Sequence, residues 1–370
     1  MSNQVLIIGG TGRIGSSVAQ DLINYTNCKI TVTSRNVLKS KQVFALWQNR
    51  VNFLCLDFTD LDGLNQAIAS SDLVIDCAGP FHHRSTDVLQ LCIIHKVHYL
   101  DVSDHRSFSI KNLALDQDAQ NAGIIAVINT GVFPGISNSM VKESVESLDI
   151  PESIHLSYVV SGSGGAGITV MRTTFLSLQE HFKAFIQGKW QDIKPYSSRE
   201  IIDFPYYGKT GVYWFDVPET LTLAHSFPVH SVITKFGSVP DFYNHLTWIV
   251  AHLFPSQLLK NNKIIEFLSQ ISYNMTNITD KFSGIGVAMR AEVSGKKDGK
   301  NALAYSTFYH ENTAYMAGCG TGMIAQLILE GKINQCGVFP VEKILSSELF
   351  NQMCKSRNLH FEKSLNVVDF

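Results

Sequence analysis

The sequence lacks the patterns that mark several common classes of protein. Its 7 cysteines are scattered without a C-x-x-C pair, which argues against a zinc site and against a disulfide framework. Its net charge of −2 leaves no excess of basic residues for binding nucleic acid or an anionic membrane. We therefore expect a protein of the reducing cytoplasm that holds no metal and whose partner is a small molecule.

The sequence also lacks the residue patterns that are typical of targeting segments and of membrane-spanning segments. The N-terminal residues MSNQVLII contain no basic region and no cleavage site, so we expect no signal peptide. One apolar stretch, 242–259, is interrupted by Asn244, His245, His252 and Pro255. A membrane span needs about 20 predominantly apolar residues. We expect a buried or membrane-surface helix there, and no transmembrane span.

The N-terminal third instead alternates between strand and helix patterns. Apolar or β-branched runs predict strands over 5–8, 29–33, 51–56, 73–76, 98–101 and 124–129. Helical patterns lie between them, over 14–23, 38–47, 61–69, 86–95 and 107–122, and Asp60 is a candidate N-cap. This alternation predicts an α/β fold, a doubly wound parallel sheet of the Rossmann type.

A glycine-dense turn joins the first strand to the first helix. Gly9, Gly10, Gly12 and Gly15 stand where a sharp turn and a close backbone approach are needed. The helix N-terminus behind them offers N–H donors and a partial positive charge to a pyrophosphate. The spacing departs from the strict G-x-G-x-x-G, but its place between a strand and a helix favours dinucleotide binding. The alternative is a tight turn without a ligand.

The residues that follow the next strands favour a particular dinucleotide. The second strand ends in Ser34 and Arg35, where an acidic residue would bind the ribose 2′-OH and an arginine suits a 2′-phosphate. We therefore predict NADPH in preference to NADH, with a solvated surface arginine as the alternative. Arg13 in the glycine turn is a second candidate phosphate ligand. Asp57, after the third strand, either contacts the adenine or serves as a turn or cap residue.

The fourth strand runs into Cys77-Ala78-Gly79-Pro80-Phe81, small residues that leave room beside the crevice where open α/β sheets bind ligands. With no evident base beside it, Cys77 is expected to pack in the interior rather than act as a nucleophile.

These motifs together resemble the saccharopine dehydrogenase-like family. The resemblance lies in GGTGRIG (9–15), Ser34-Arg35, Asp57, CAGPF (77–81), YLDVSD (99–104), GVFPGISN (131–138), GSGGAGITVMRTT (162–174) and QLILEGKINQCGVFPVEKIL (326–345). It implies an NAD(P)-dependent oxidoreductase in which a second α+β domain interrupts the Rossmann domain and C-terminal helices complete it. The family acts on several substrates, so the resemblance names none.

The resemblance also assigns residues to the cofactor. It implies that Gly9, Gly10, Thr11, Gly12, Arg13 and Ile14 bind the pyrophosphate, that Ser34 and Arg35 bind the adenosine end, and that Ala78, Gly79 and Pro80 face the nicotinamide. Residues 99–104 would border the active cleft. The family usually has Gly-Glu near the position of Asp104-His105, and this chain departs from it there.

The chain is expected to divide into a Rossmann domain (1–135), an α+β substrate and dimerisation domain (136–310) and a C-terminal helical segment (311–370) that packs on the first.

In the second domain we expect a strand over 153–161, a glycine-rich loop over 162–167, a helix over 173–187 and irregular strands over 210–240. Strands over 286–293 and 302–309 should form a hairpin, because Asp298-Gly299 favours a tight turn. Their open sheet could pair two subunits, so a homodimer is expected. A helix over 312–329, rich in small residues, should return to the first domain.

Reduction of a small molecule also requires a proton donor. The candidates are His105, Tyr99 and Asp101, together with His82 or His83. Arg172, after the glycine-rich loop, is a candidate for holding a substrate anion, although that loop could equally be a hinge. The substrate would then lie between the domains. The sequence has no Tyr-x-x-x-Lys pair of the short-chain dehydrogenase type.

Three functions remain open. The leading hypothesis is NADP-dependent hydride transfer to a C=N or C=O bond, as in imine reduction or reductive coupling of an amine with a carbonyl. The second is an enoyl reductase with an apolar or polyketide-type substrate, which the apolar segment 242–275 favours modestly. The third is a sensor or scaffold that binds NADPH without turnover.

Overall fold

The computed structural model describes residues 2–35, 50–162 and 168–368. The chain forms two compact units: Met1–Ile136 joins Ala314–Met353 in the first, and Ser137–Thr313 joins Cys354–Phe370 in the second. The chain thus leaves the first unit, builds most of the second, returns to complete the first and ends in the second. The helix expected over 38–47 and residues 163–167 of the glycine-rich loop lie outside the described residues.

Strands and helices occupy most of the described chain. The strands are β1 (Gln4–Ile8), β2 (Lys29–Ser34), β3 (Val51–Cys55), β4 (Leu73–Asp76), β5 (His98–Asp101), β6 (Ile125–Ile128), β7 (Ile150–Ser161), β8 (Phe182–Ile186), β9 (Lys189–Ile193), β10 (Glu200–Phe204), β11 (Gly208–Trp214), β12 (Ser231–Val239), β13 (Gly286–Lys297), β14 (Lys300–His310), β15 (Gly337–Pro340) and β16 (Glu362–Val368). The helices are α1 (Arg13–Tyr25), α2 (Leu61–Ala69), α3 (Asp87–His95), α4 (Arg106–Leu113), α5 (Asp116–Ala122), α6 (Ser137–Glu146), α7 (Ile168–Leu176), α8 (Glu219–Ser226), α9 (Phe242–Leu253), α10 (Ser256–Leu259), α11 (Asn262–Ser283), α12 (Thr313–Leu329), α13 (Val341–Ile344) and α14 (Ser347–Ser356).

The first unit is built on a parallel sheet in the order β3-β2-β1-β4-β5-β6-β15. The order runs outward in both directions from β1, which confirms the doubly wound Rossmann fold. Ile7, Ile30, Ile75 and Val127 are fully buried in it, as parallel strands covered on both faces require. Strand β15 was not expected, because four residues that begin with glycine and end with proline carry no strand period.

The helical region before β6 differs in one detail from the expected pattern. The helix expected over 107–122 is two helices, α4 and α5. Asp116 begins the second of them, and its Oδ1 accepts a hydrogen bond of 2.8 Å from the Val338 N–H of β15.

Helix α12 approaches α1 so closely that a Cβ at Gly318 would lie 2.6 Å from the backbone of Ser17. The small residues of 312–329 therefore serve close helix packing, as expected.

The second unit contains a mixed sheet in the order β10-β11-β12-β7-β13-β14-β16. Strands β7 and β12 are parallel, and the other neighbours are antiparallel. The hairpin of β13 and β14 turns at Asp298-Gly299, both with positive φ, as the sequence predicts.

The C-terminus differs from the expected helical segment. Its last described residues form β16, which pairs with β14 from Asn301↔Val368 to Thr307↔Glu362. The edge of β14 that was expected to be open to a second subunit is therefore occupied by the same chain.

A second difference concerns the helix expected over 173–187. Helix α7 ends at Leu176, and β8 and β9 form a separate two-stranded sheet. Phe182 and Ala184 are buried while Lys183 is exposed, which is the period of a strand. Gln187 and Gly188 both have positive φ and make the turn.

The apolar segment expected to be helical consists of α9, α10 and α11. Within residues 2–35, 50–162 and 168–368, no helix combines the length and the apolar character needed to cross a bilayer.

Candidate functional site

The glycine turn brings the backbone after β1 close to the neighbouring strand. Gly9 has a φ of +71°, and its N–H donates a 3.0 Å hydrogen bond to Thr33 Oγ1. A Cβ at Gly9 would lie 3.1 Å from Ala78 Cα, and one at Gly15 would lie 2.5 Å from Gly9 O. These two glycines are therefore required by the fold of the turn itself.

Gly12 differs from them, because the space beside it is open. A Cβ there would meet a single atom within 4 Å, Gly9 O at 3.2 Å. Gly12 is the N-cap of α1; no side chain caps that helix and no acidic residue lies in its first turn. The first N–H groups of α1 therefore face a cradle without competing carboxylates, which suits a pyrophosphate. The residues present thus fit the dinucleotide that the sequence predicts.

The end of β2 is joined to this turn through two hydroxyl groups. Thr11 Oγ1 donates to Ser34 Oγ over 3.1 Å. The next residue, Arg35, has a side chain that is 84% exposed, with its Nε 4.0 Å from Asp57 Oδ2. Asp57 Oδ1 accepts from both the N–H and the hydroxyl of Thr59, at 3.0 and 2.8 Å, which is the turn role that the sequence left open.

The turn after β4 is held by a buried ion pair that sequence reasoning missed. Arg84 Nη2 donates to Asp76 Oδ2 over 2.7 Å, and Arg84 Nη1 donates to Ala78 O over 2.5 Å. Asp76 Oδ1 accepts the Ala78 N–H over 3.0 Å. Burial raises the pKa of Asp76, and the Arg84 guanidinium opposes that shift. In the sequence, the acidic residue at the end of the apolar run LVID (73–76) was the signal that could have indicated a buried cationic partner.

Tyr99 and Asp101, two candidate proton donors, lie fully buried. Asp101 Oδ1 accepts from the N–H groups of Ser103 and Asn129, at 3.0 and 2.9 Å. Its Oδ2 accepts from Tyr99 OH and Asn112 Nδ2, both at 3.1 Å. Burial raises the pKa of Asp101 to about 6 and raises that of Tyr99 as well. A proton donor must reach its substrate, so these contacts correct the expected role: the pair positions the ends of β5 and β6.

His105 is the candidate donor that keeps solvent access, and the structure brings His82 against it. His82 Nδ1 and His105 Nε2 are 2.7 Å apart, and the ring centroids are 4.4 Å apart in an edge-on arrangement. His105 Nδ1 is 3.0 Å from Ser107 Oγ. Both rings are half-buried. Residues that follow β4 and β5 thus meet at the carboxyl edge of the sheet. The side chain of His83 lies outside the described part of the structure.

Arg172, expected to hold a substrate anion, lies in the second unit and is already paired. Its Nε and Nη2 donate to the two carboxylate oxygens of Glu266 at 2.7 and 2.6 Å. Glu266 raises the pKa of Arg172, and Arg172 lowers that of Glu266. The bidentate pair with Glu266 occupies the edge of the guanidinium that was expected to bind a substrate anion.

Among the described residues, no group of His, Cys, Asp and Glu side chains is arranged to hold a metal ion.

Comparison with known proteins identifies the first unit. The family model of the saccharopine dehydrogenase NADP binding domain matches residues 5–127. The first unit therefore contains a saccharopine dehydrogenase NADP binding domain. The matched residues run from β1 into β6 and include the glycine turn, Arg35 and the histidine pair. The chain is thus an NAD(P)-dependent oxidoreductase, and the predicted NADP cofactor is confirmed at the level of the family.

Two similar proteins extend the comparison over the full length. The carboxyaminopropylagmatine dehydrogenase of Synechocystis sp. is 22% identical over 374 residues, which cover 92% of each chain. The apo saccharopine dehydrogenase (L-Glu forming) of Saccharomyces cerevisiae superposes with a TM-score of 0.73 at 13% identity, over 99% of this chain and 100% of that one. The saccharopine dehydrogenase-like fold therefore includes the second unit, in agreement with the predicted architecture.

Proposed function

We propose that the protein reduces a C=N bond, an imine of a small amine-containing molecule, with NADPH, and that the pair of His82 and His105 supplies the proton. The observation that carries the proposal is the 2.7 Å contact between the two rings, next to the turn that begins at Ala78. The saccharopine dehydrogenase-like family and the similarity to a carboxyaminopropylagmatine dehydrogenase support an amine substrate.

Different residues of the first unit would bind different parts of NADPH. Gly12 and the first N–H groups of α1 would hold the pyrophosphate, Arg35 the 2′-phosphate, and Ala78-Gly79-Pro80 the nicotinamide end. Bound NADPH supplies the hydride. The protein has to deliver one proton to the imine nitrogen. When one of the two rings is protonated, the His82–His105 contact can hold that imidazolium by a hydrogen bond to the neutral ring, and the imidazolium is the form that would give its proton to the imine nitrogen.

The test is NADPH oxidation measured against imines, amine and keto-acid mixtures, and enoyl compounds. We expect turnover with an imine or with an amine and carbonyl together. We expect His105→Ala and His82→Ala to lower kcat by about 10²–10⁴-fold, the usual contribution of a general acid, with NADPH affinity unchanged. His95→Ala is the matched control, because His95 bonds Asn65 on the surface at 2.7 Å.

The pH profile separates a proton donor from a packing residue. If His105 is the proton donor, the acidic and basic limbs of the pH profile of kcat/KM should move or disappear in His105→Ala. If the substitution only disturbs packing, kcat/KM should fall by the same factor at every pH. Unchanged kcat in both histidine variants, or NADPH binding without turnover of any compound, would overturn the proposal. Turnover of enoyl compounds alone would make the protein a C=C reductase, an alternative that the apolar lining of a second-unit cavity, by Val160, Phe175 and Phe236, favours.

We also propose a cytoplasmic location and a homodimer through the second unit. The seven cysteines are free thiols, among them the exposed Cys55, which suits a reducing compartment.

A further inference from the structure

A serine hydroxyl extends the contact between His82 and His105. Ser107 Oγ lies 3.0 Å from His105 Nδ1, and His105 Nε2 lies 2.7 Å from His82 Nδ1. Each ring nitrogen of His105 therefore faces a side chain that can form a hydrogen bond with it. The three groups stand in a row, from the hydroxyl of Ser107 through the ring of His105 to the ring of His82.

The backbone of His105 is fixed by other hydrogen bonds. Its N–H donates to Ser103 Oγ over 3.2 Å, and its carbonyl oxygen accepts from Ser109 Oγ over 3.2 Å. Ser103 and Ser109 are fully buried. The side chain of His105 can still rotate about its two torsion angles. The contacts at its two ring nitrogens are therefore what fixes the direction of the ring.

The group that meets His105 Nδ1 is a neutral hydroxyl rather than a carboxylate. Ser107 lies in the first turn of α4, and that turn contains no acidic residue. A hydroxyl group can donate or accept a hydrogen bond, whereas a carboxylate can only accept. Ser107 can therefore stay bonded to His105 Nδ1 whether that nitrogen carries a hydrogen or a lone pair.

The number of ring hydrogens determines the direction of this bond when the pair carries an extra proton. If His105 is the imidazolium, both of its nitrogens carry hydrogen. If His82 is the imidazolium, its Nδ1–H donates to His105 Nε2, and neutral His105 must carry its single hydrogen on Nδ1. In both cases His105 Nδ1 is the donor and Ser107 Oγ is the acceptor.

We propose that Ser107 is a positioning residue of this site. Its oxygen accepts the His105 Nδ1–H whenever the pair of His82 and His105 is protonated, and so stabilises the form that releases a proton. The inference rests on the proposed function only for the use of that proton, because the contact itself lies within the first unit. Ser107 transfers no proton to the substrate. After the pair has released its proton to the imine nitrogen, the hydroxyl can keep the contact by donating or accepting.

Other titratable groups also act on the pair, and they are the same in every variant of Ser107. Asp101 is linked to His105 through Ser103, whose N–H donates to the Asp101 carboxylate over 3.0 Å. The charged or titratable residues within two positions of either ring in the chain are His83, Arg84, Asp104 and Arg106. Differences among variants at position 107 therefore report the group at that position alone.

The experiment compares Ser107→Ala, Ser107→Thr and Ser107→Asp in the full chain by NMR of ¹⁵N-labelled histidine rings, assigned by their loss in His82→Ala and His105→Ala. The ring signals give the pH at which the pair loses its proton. Ser107→Ala removes the acceptor, so this pH should fall by about 0.3–1 unit, a two- to ten-fold loss of proton affinity. Ser107→Thr should match the wild type. Ser107→Asp should raise the pH, because a carboxylate is a stronger acceptor for an imidazolium.

The kinetic counterpart uses an imine that the wild type reduces. The basic limb of the pH profile of kcat/KM should move in the same direction as the NMR result in each variant. Ser107 is exposed, so melting temperature and NADPH affinity should stay unchanged. Ser70→Ala is the matched control: it removes another exposed hydroxyl, which donates to Ala67 O over 3.0 Å, and should leave the limb in place.

Two results would overturn the proposal. One is a pair that loses its proton at the same pH in the wild type, Ser107→Ala and Ser107→Asp. The other is a kcat/KM that falls by the same factor at every pH in Ser107→Ala, as a purely structural role requires. If the NMR result is as expected and no imine is reduced, the proposed function fails while the role of Ser107 toward the pair stands.

Discussion

Thr11 Oγ1 donates a 3.1 Å hydrogen bond to Ser34 Oγ and so joins the glycine turn after β1 to the end of β2. Thr11 belongs to the predicted pyrophosphate cradle, and Ser34 precedes the arginine predicted to bind the 2′-phosphate. The bond fixes these two parts of the cofactor site relative to each other before a ligand binds.

The first prediction concerns Gly12, whose φ of −69° is allowed to any residue. Gly12→Val should keep the fold at a small cost in melting temperature, because a Cβ there would meet one atom, Gly9 O at 3.2 Å, with open space beyond it. The side chain would occupy the phosphate cradle, so NADPH binding should be lost. Isothermal titration calorimetry measures the affinity. Gly10→Val is the comparison: a Cβ there would lie 2.6 Å from Val32 Cβ, so that variant should lose stability. Retained NADPH binding in a folded Gly12→Val protein would contradict the assignment.

The second prediction concerns the choice between NADPH and NADH. Arg35 is 84% exposed, so its removal costs the fold little. A hydrogen bond to a charged group contributes about 1.5–3 kcal/mol, so Arg35→Ala should weaken NADPH binding about ten-fold or more and leave NADH binding unchanged. Lys29→Ala, which removes an exposed cation from the start of the same strand, controls for general electrostatics. Equal losses for both cofactors, or in both variants, would show that Arg35 does not contact the 2′-phosphate.

The third prediction concerns the ion pair between Arg84 and Asp76, both of which are buried. Arg84→Met should destabilise the protein by about 3–5 kcal/mol, since it leaves a buried carboxylate without its counter-charge. Arg84→Met/Asp76→Asn should recover part of the loss. Thermal unfolding of the three proteins measures the effect. A double variant less stable than the single one would mean that Asp76 is held mainly by the Ala78 N–H.

The fourth prediction concerns the pH dependence that Asp101 introduces. Its pKa is about 6 in the folded protein against an ordinary value of 3.8. The folded state therefore keeps a proton that the unfolded chain releases, and stability falls as the pH rises from about 4 to 6. The fall should amount to roughly 3 kcal/mol. Asp101→Asn, neutral at every pH, should lack it. Unfolding curves of both proteins between pH 4 and 7 measure the difference, and parallel pH profiles would rule out a buried carboxyl with a raised pKa.

The sequence was sufficient for the parts of the fold that depend on neighbouring residues. The apolar run before Gly9, the glycine spacing and the helix after them predict β1, the turn and α1. Asp60 caps α2 as expected, through a 3.0 Å bond from the Gly63 N–H. Strand and helix periodicity, helix caps and tight turns depend on residues that are only a few positions apart, so they can be recognised in the sequence.

Contacts between distant residues could not be predicted in this way. The seventh strand of the first sheet comes from Gly337–Pro340, and β16 pairs with β14 although its residues were expected to be helical. His82 and His105 were separate candidates 23 residues apart, and only the packing of the segments after β4 and β5 makes them a pair. The sequence presents Arg172 as a candidate anion ligand, and only the fold brings the carboxylate of Glu266, 94 residues away, onto its guanidinium.

What the sequence by itself determined, then, is the Rossmann architecture and the glycine turn between β1 and α1, because each rests on residue types at short, fixed spacing. The tertiary structure alone decided which candidate donors are buried, which histidines meet and which apolar side chains stay outside. Those outcomes depend on which strands and helices become neighbours. The arrangement of neighbouring strands and helices is the one that minimises the free energy of the whole chain, so no short stretch of sequence reveals it.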